Sequence, residues 1–199
     1  RELPIMKMVS ADYPLFCRGV VASMLAKVSN NLPDEISLQI DSAYRTRKTQ
    51  EILWNSRKGV MLGLVYNPTK GVPPHCTGGA VDVSLVDKNG TEINLSEPFL
   101  KFYNEPQLKS EKISTKAQEL RLLLNKTMLD VGFAPNHGEY WHFSYGDKMW
   151  ADYYNQEIKY DEIGLPKKYY YPLFQRFYFK IAKRLWKLIN KLFSVQTNY

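Results

Sequence analysis

Only two cysteines, Cys17 and Cys76, occur in the 199 residues. They could form at most one bridge, which excludes a fold held together by a disulfide framework. No stretch approaches the ~18 uncharged apolar residues that a spanning helix needs, which argues against an integral membrane protein. Acidic residues are absent from Ile163 to Tyr199, where eight basic residues lie between Lys167 and Lys191. The net charge of +7 therefore belongs to the tail, and the first 162 residues are close to neutral. A neutral body has no electrostatic footprint for nucleic acid, so no nucleic-acid partner is expected. Histidine is nearly as scarce as cysteine, with His75, His137 and His142 the complete set.

With 44% hydrophobic and 24% charged residues the composition is that of an ordinary globular chain, long enough for one domain with something appended. The expected division is a domain over 1–160 and a basic extension over 161–199. A chain that opens on Arg1 is expected to have lost a preceding segment. Its compartment, cytoplasmic or cell-envelope associated, is not legible from that end.

Val21, Met24, Leu25 and Val28 recur at helical spacing between Arg18 and Leu32, and the Asn30-Asn31 pair and Pro33 end the run. Ser37 to Ile40 alternates as a strand, Thr46 to Trp54 has helical character, and Lys58 to Pro74 reads as a loop. The clearest strand is Ala80 to Leu85, with Val81, Val83 and Leu85 on one face and Ala80, Asp82 and Ser84 on the other. That second face is small and polar, as one lining a site would be. Asp87 to Gly90 should turn the chain back through Leu95 as a hairpin. Ser114 to Leu129 reads as a second amphipathic helix closed by Gly132, and Tyr140 to Tyr145 as a short aromatic strand. The sum is an α+β fold, a small antiparallel sheet flanked by helices.

Two histidines keep unusual company. His75 precedes a glycine pair and, seven residues on, Asp82; His142 follows Glu139 by three. Two imidazoles and a carboxylate make a three-ligand zinc set of the hydrolytic kind, and a further carboxylate nearby could act as base. Bland readings stand beside this one. A histidine beside proline can be structural, Asp82 could cap a turn, and residues three apart on a regular strand face opposite sides. Glu139 therefore has to lie at or before the start of its strand. His137 completes a His-x-Glu-x-x-His pattern, but its strand-like surroundings leave it as loop or support.

His75-x-x-Gly-x-Ala-x-Asp82 together with Glu139-x-Trp-His142 resembles the motif pair of the D-Ala-D-Ala metallopeptidases. The stretches His75 to Leu85 and Trp141 to Asp147 are most similar to the vancomycin-resistance-type D-alanyl-D-alanine dipeptidases, and Tyr44-Arg45 falls where that family has Tyr-Arg. The resemblance runs roughly from Asp12 to Ala151. It implies one catalytic zinc ion on His75, Asp82 and His142, with Glu139 as general base and acid and Arg45 holding the transition-state oxygen. Trp141 would lie beside the site, and Tyr44 and Ser84 are expected to contact substrate. The implied substrate is a D-amino-acid-containing peptide of the cell wall, hydrolysed as a free dipeptide. Trimming of longer peptidoglycan stem peptides by D,D- or L,D-carboxypeptidase action is the alternative. Departures fall at substrate-contacting positions: Pro73 replaces a common Ser, Ser42 a common Asp, and Leu100 the aspartate that follows a phenylalanine. Cys76, beside the first histidine, reads as a buried free thiol.

Beyond Tyr154, apolar residues from Phe174 to Leu192 recur at helical spacing among lysines and arginines. A basic amphipathic helix is expected. Over 166–199 it either packs on the body or adsorbs to an anionic membrane or cell-wall surface. A protein of that surface-binding kind with a vestigial site is the alternative of another class.

Overall fold

The computed structural model describes residues 5–9, 14–55, 63–97 and 106–164. The chain divides into two units, 1–163 and 164–199, and the first contains all the described helices and strands. The basic helix expected over 166–199 and the Phe99-Leu100 pair lie outside the described residues.

The first unit is α+β. A two-stranded ribbon, β1 (Ile5–Val9) and β2 (Pro14–Arg18), leads into helix α1 (Gly19–Asn31). The main sheet is antiparallel, in the order β3 (Ile36–Ser42), β4 (Ala80–Asp87), β6 (Glu139–Ser144), β5 (Ala134–Asn136). Helices α2 (Arg47–Trp54), α3 (Thr115–Asp130) and α4 (Lys148–Tyr154) complete it. No helix among the described residues is long and apolar enough to cross a membrane.

Three of the four described α-helices start on a side-chain cap, α1 being the exception. Thr46 accepts from the Thr49 amide, Ser114 from Ala117 and Asp147 from Trp150, each satisfying an orphan N–H of a first turn. The apolar stripe of α1 (Val21, Met24, Leu25, Val28) and Leu124 and Met128 of α3 bury against Val81, Val83 and Leu85 of β4. A fully buried side chain of this kind contributes about 1.5–3 kcal/mol. The opposite face of β4 is thereby left for the site, as its alternation predicts. The Asp87–Gly90 turn forms, with the Asp87 side chain accepting from Asn89 and Thr91 amides. The return beyond it pairs with β4 as a short hairpin, through the bridge Val86 to Glu92 and the Ile93 amide donating to the Leu85 carbonyl at 2.8 Å.

Gly79 leads into β4 opposite the end of β6. A Cβ there would lie 2.3 Å from the Tyr145 carbonyl oxygen, so only glycine lets the two backbones approach this closely.

Neither cysteine forms a disulfide among the described residues, and both are buried. Burial pushes each thiol up to about 11, with the nearby Glu162 charge adding to the effect on Cys76. At pH 8 Ellman's reagent should leave the native protein almost unlabelled over minutes and titrate two thiols once urea unfolds it. Rapid labelling of a native thiol would contradict this packing.

Candidate metal centre

The register of the sheet sets one row of side chains across three strands. Asp82 on β4 pairs with Ser42 of β3 on one side and with His142 of β6 on the other. Ser42 reaches that row only because the register slips between Ile40 and Ser42, a bulge that makes Asp41 the extra residue. His75 arrives from outside the sheet, on the 3-10 turn Pro74–Thr77 that runs into β4.

The ligand atoms of His75, Asp82 and His142 all lie within 4.8 Å of one another, and all three residues are buried. Asp82 Oδ1 is 2.9 Å from His142 Nδ1 and 3.3 Å from His75 Nε2. The other nitrogen of His75, Nδ1, is 2.7 Å from the Ala43 carbonyl. That carbonyl can only accept, so Nδ1 carries the proton and the Nε2 lone pair faces Asp82. His142 presents Nδ1 to the site, while its Nε2 lies 3.4 Å from Ser144 Oγ.

Burial lowers the His75 pKa, and the Asp82 charge only partly offsets this. Burial also works against the Asp82 anion, yet the two imidazoles and the Arg45 guanidinium outweigh it and hold the carboxyl well below its usual range. For His142 the balance tips the other way: burial is outweighed by the hydrogen bond and charge of Asp82, with Glu139 adding to them, and its pKa rises.

Glu139 is the first residue of β6, and the pairing with β5 breaks between Pro135 and Asn136. The break removes the obstacle of the three-residue spacing: Glu139 Oε2 lies 3.9 Å from His142 Nδ1. Burial pushes the Glu139 carboxyl from its ordinary 4.5 up to about 7, opposed by His142.

Arg45 holds Asp82 from the far side, donating from Nη2 to Oδ2 at 2.5 Å, while its Nε and Nη2 also donate to Ser42 Oγ at 3.0 and 2.8 Å. Ser42 thus meets the arginine fork at the position where the resemblance leads one to expect aspartate.

These residues line a cleft of about 550 Å³. Trp141 and Ser84 also line it, and Ser84 Oγ accepts from Gln39 at 3.2 Å. Tyr44 does not line it; its hydroxyl donates to the Ile163 carbonyl at 2.7 Å. His137 is exposed in the turn before β6. The sequence reading missed Gln50, Leu64 and Met149, which also line the cleft. Gln50 is buried with its Oε1 unpartnered among the described residues, although its amide donates to Tyr66 O. No periodicity marks these three, since they come together only by folding.

Two imidazole nitrogens and one carboxylate oxygen suit a zinc ion of the catalytic kind, which takes three protein ligands. The class is therefore that of an α+β domain with a histidine–aspartate–histidine metal-binding cluster beside a buried glutamate. Residues 33–160 match the peptidase family described as D-ala-D-ala dipeptidase, and the chain belongs to that family. A D-alanyl-D-alanine dipeptidase of Synechocystis is 36% identical across 42% of this chain and 38% of its own length. One of Escherichia coli is 27% identical across 65% of each. The chain thus spans less than two thirds of either relative. Among solved structures, the vancomycin-resistance D,D-pentapeptidase VanY with Zn(II) overlays at a TM-score of 0.46 and 15% identity, covering 78% of this chain and 85% of that one. VanYB in complex with D-Ala-D-Ala gives 0.44 and 12%, covering 79% and 87%.

Proposed function

We propose that this chain is a zinc-dependent D,D-dipeptidase that hydrolyses D-Ala-D-Ala-type bonds in peptidoglycan precursors or fragments. The observation that carries the reading is the convergence of His75, Asp82 and His142 on one point, with Glu139 alongside in the same cleft. His75, Asp82 and His142 would hold the ion, which when bound supplies Lewis acidity toward a scissile carbonyl and toward water.

The chain's own groups do the rest. Glu139, as carboxylate, accepts the proton of the attacking water and, as carboxylic acid, returns it to the departing amine. Its place at the start of β6 sets it beside the ligand cluster without making it part of that cluster. Arg45 offers charged donors to the oxygen that gains charge, and its bond to Asp82 fixes where those donors point. The Ala43 carbonyl keeps the His75 ring in the tautomer a ligand needs.

A second reading, carboxypeptidase action on longer stem peptides, is favoured by the cleft. It runs on from the cluster to Leu53, Leu64, Val65 and Met149, leaving apolar surface beside the acidic and basic groups. One assay addresses both. Purified protein should release D-alanine from D-Ala-D-Ala faster than from a stem pentapeptide, lose nearly all of that rate to a chelator, and regain it with zinc. Faster release from the pentapeptide would transfer the assignment to the second reading, and no release from either would end both.

A further inference from the structure

Asp82 and His142 are fixed by paired strands, but His75 sits on a short turn outside the sheet. Its position depends on what grips that turn. Within it, the Pro74 carbonyl accepts from Thr77 Oγ1 and the His75 carbonyl from the Gly78 and Arg45 amides. Arg18 Nε donates to the Thr77 carbonyl at 2.7 Å. The Cys76 carbonyl is taken by the Ile163 amide at 3.0 Å, a group 87 residues further along the chain.

The segment 159–163 that supplies this amide is itself tied at several points. Lys159 and Tyr160 amides both donate to the Gly146 carbonyl at 2.8 Å, two residues past the end of β6. The Arg18 guanidinium lies 3.8 Å from the Tyr160 ring centre. Glu162 pairs with Arg47, and Tyr44 donates to the Ile163 carbonyl. Gly146 has φ 74°, and a Cβ there would lie 2.5 Å from the Tyr160 ring, so the crossing requires glycine at that point. The segment therefore spans from the end of the His142 strand to the His75 turn, the two structural supports of the ligand set. The residues that match the family end at 160, short of Glu162 and Ile163.

We propose that residues 159–163 form a strap that positions His75 for metal binding, acting through the Cys76 carbonyl and through Tyr44. Tyr44, whose hydroxyl donates to Ile163 and does not line the cleft, is then a positioning residue of the turn. The proposal rests on the reading of His75 as a ligand. Groups that orient metal ligands from behind typically cost 10–100-fold in affinity when lost.

The test is zinc affinity of the full chain, by competition with a chromophoric chelator, and uses zinc alone as probe. Ile163→Pro, which removes the amide donor, and the double variant Tyr44→Phe/Glu162→Gln should each weaken zinc about tenfold. The core variant Leu124→Ala, remote from the strap, should lower the melting temperature and leave zinc affinity of the folded protein unchanged. If Ile163→Pro does not fold, the conservative double variant decides. Wild-type affinity in the strap variants, or an equal loss in Leu124→Ala, would overturn the strap. If His75→Ala binds zinc as tightly as the wild type, it is the ligand reading that fails, and that outcome is distinct from the other two.

Discussion

Glu139→Gln should lower kcat for D-Ala-D-Ala hydrolysis by two to four orders of magnitude, about what a positioned proton-transfer group contributes, with one zinc per chain still bound. Glutamine keeps the size and hydrogen-bonding reach of the side chain and loses only the ability to take and return a proton. The effect on stability has the opposite sign. In the metal-free protein the Glu139 carboxyl is raised from 4.5 to about 7, so the folded state binds a proton more tightly than the unfolded chain. Its contribution is fully present below pH 4.5 and is lost as pH rises through 7. Metal-free Glu139→Gln should therefore melt higher than wild type above pH 7 and show no such advantage below pH 4.5. A variant that loses activity while gaining thermal stability cannot owe the loss to unfolding. Retention of more than a tenth of the wild-type kcat would remove Glu139 from the proposed role.

The second large effect is expected at Asp82, whose two oxygens serve different partners. Oδ1 faces both imidazoles, and Oδ2 receives Arg45. Asp82→Ala takes away one ligand and leaves the guanidinium without its counter-charge. Breaking a buried ion pair from one side costs about 3–5 kcal/mol, and the lower end applies because the Arg45 side chain is 23% exposed and keeps Ser42. At about 2–4 °C per kcal/mol for a chain of this size, the melting temperature should fall by about 10 °C. Elemental analysis should find zinc below about a tenth of an ion per chain, against one in wild type. Full zinc occupancy in Asp82→Ala would show that the carboxylate is not a ligand.

Much of the scaffold is legible because burial imposes period on sequence. The alternation of Ala80 to Leu85 separates a core face from a site face, and the structure shows the same separation. The stripe of α1 is equally plain, whereas the buried face of α3 sets Arg121 and Thr127 among Ala117, Leu124 and Met128. Elements that escape such a reading carry no period: the ribbon of β1 and β2, the three-residue Ala-Pro-Asn strand β5, and α4, whose aromatic run resembles loop. Asp147, three residues before Trp150, is the N-terminal capping signal of α4, and Asn155, left-handed at φ 50°, ends it. Within the site, the clustering of His75, Asp82 and His142 is legible through the resemblance of their two motifs to the metallopeptidase pair, which spacing alone does not supply. The Arg45–Asp82 pair and the bond from Tyr44 to Ile163 are not, because no shared motif ties either pair together. Ser42 stands between these cases. It is visible as a departure, but its partnership with Arg45 depends on the bulge at Asp41, which nothing in the alternation of β3 announces.

The tight crossing at Gly79 has a consequence for mutational tolerance. Any side chain there must push the Tyr145 backbone away, and Ala80–Ser144, the first rung of the ladder, lies only two rungs from Asp82–His142. A methyl group would thus act as a wedge at the foot of a zipper, spreading two donors that it never touches. In a saturation library this position should accept no replacement, as intolerant as the ligands themselves and for an entirely steric reason.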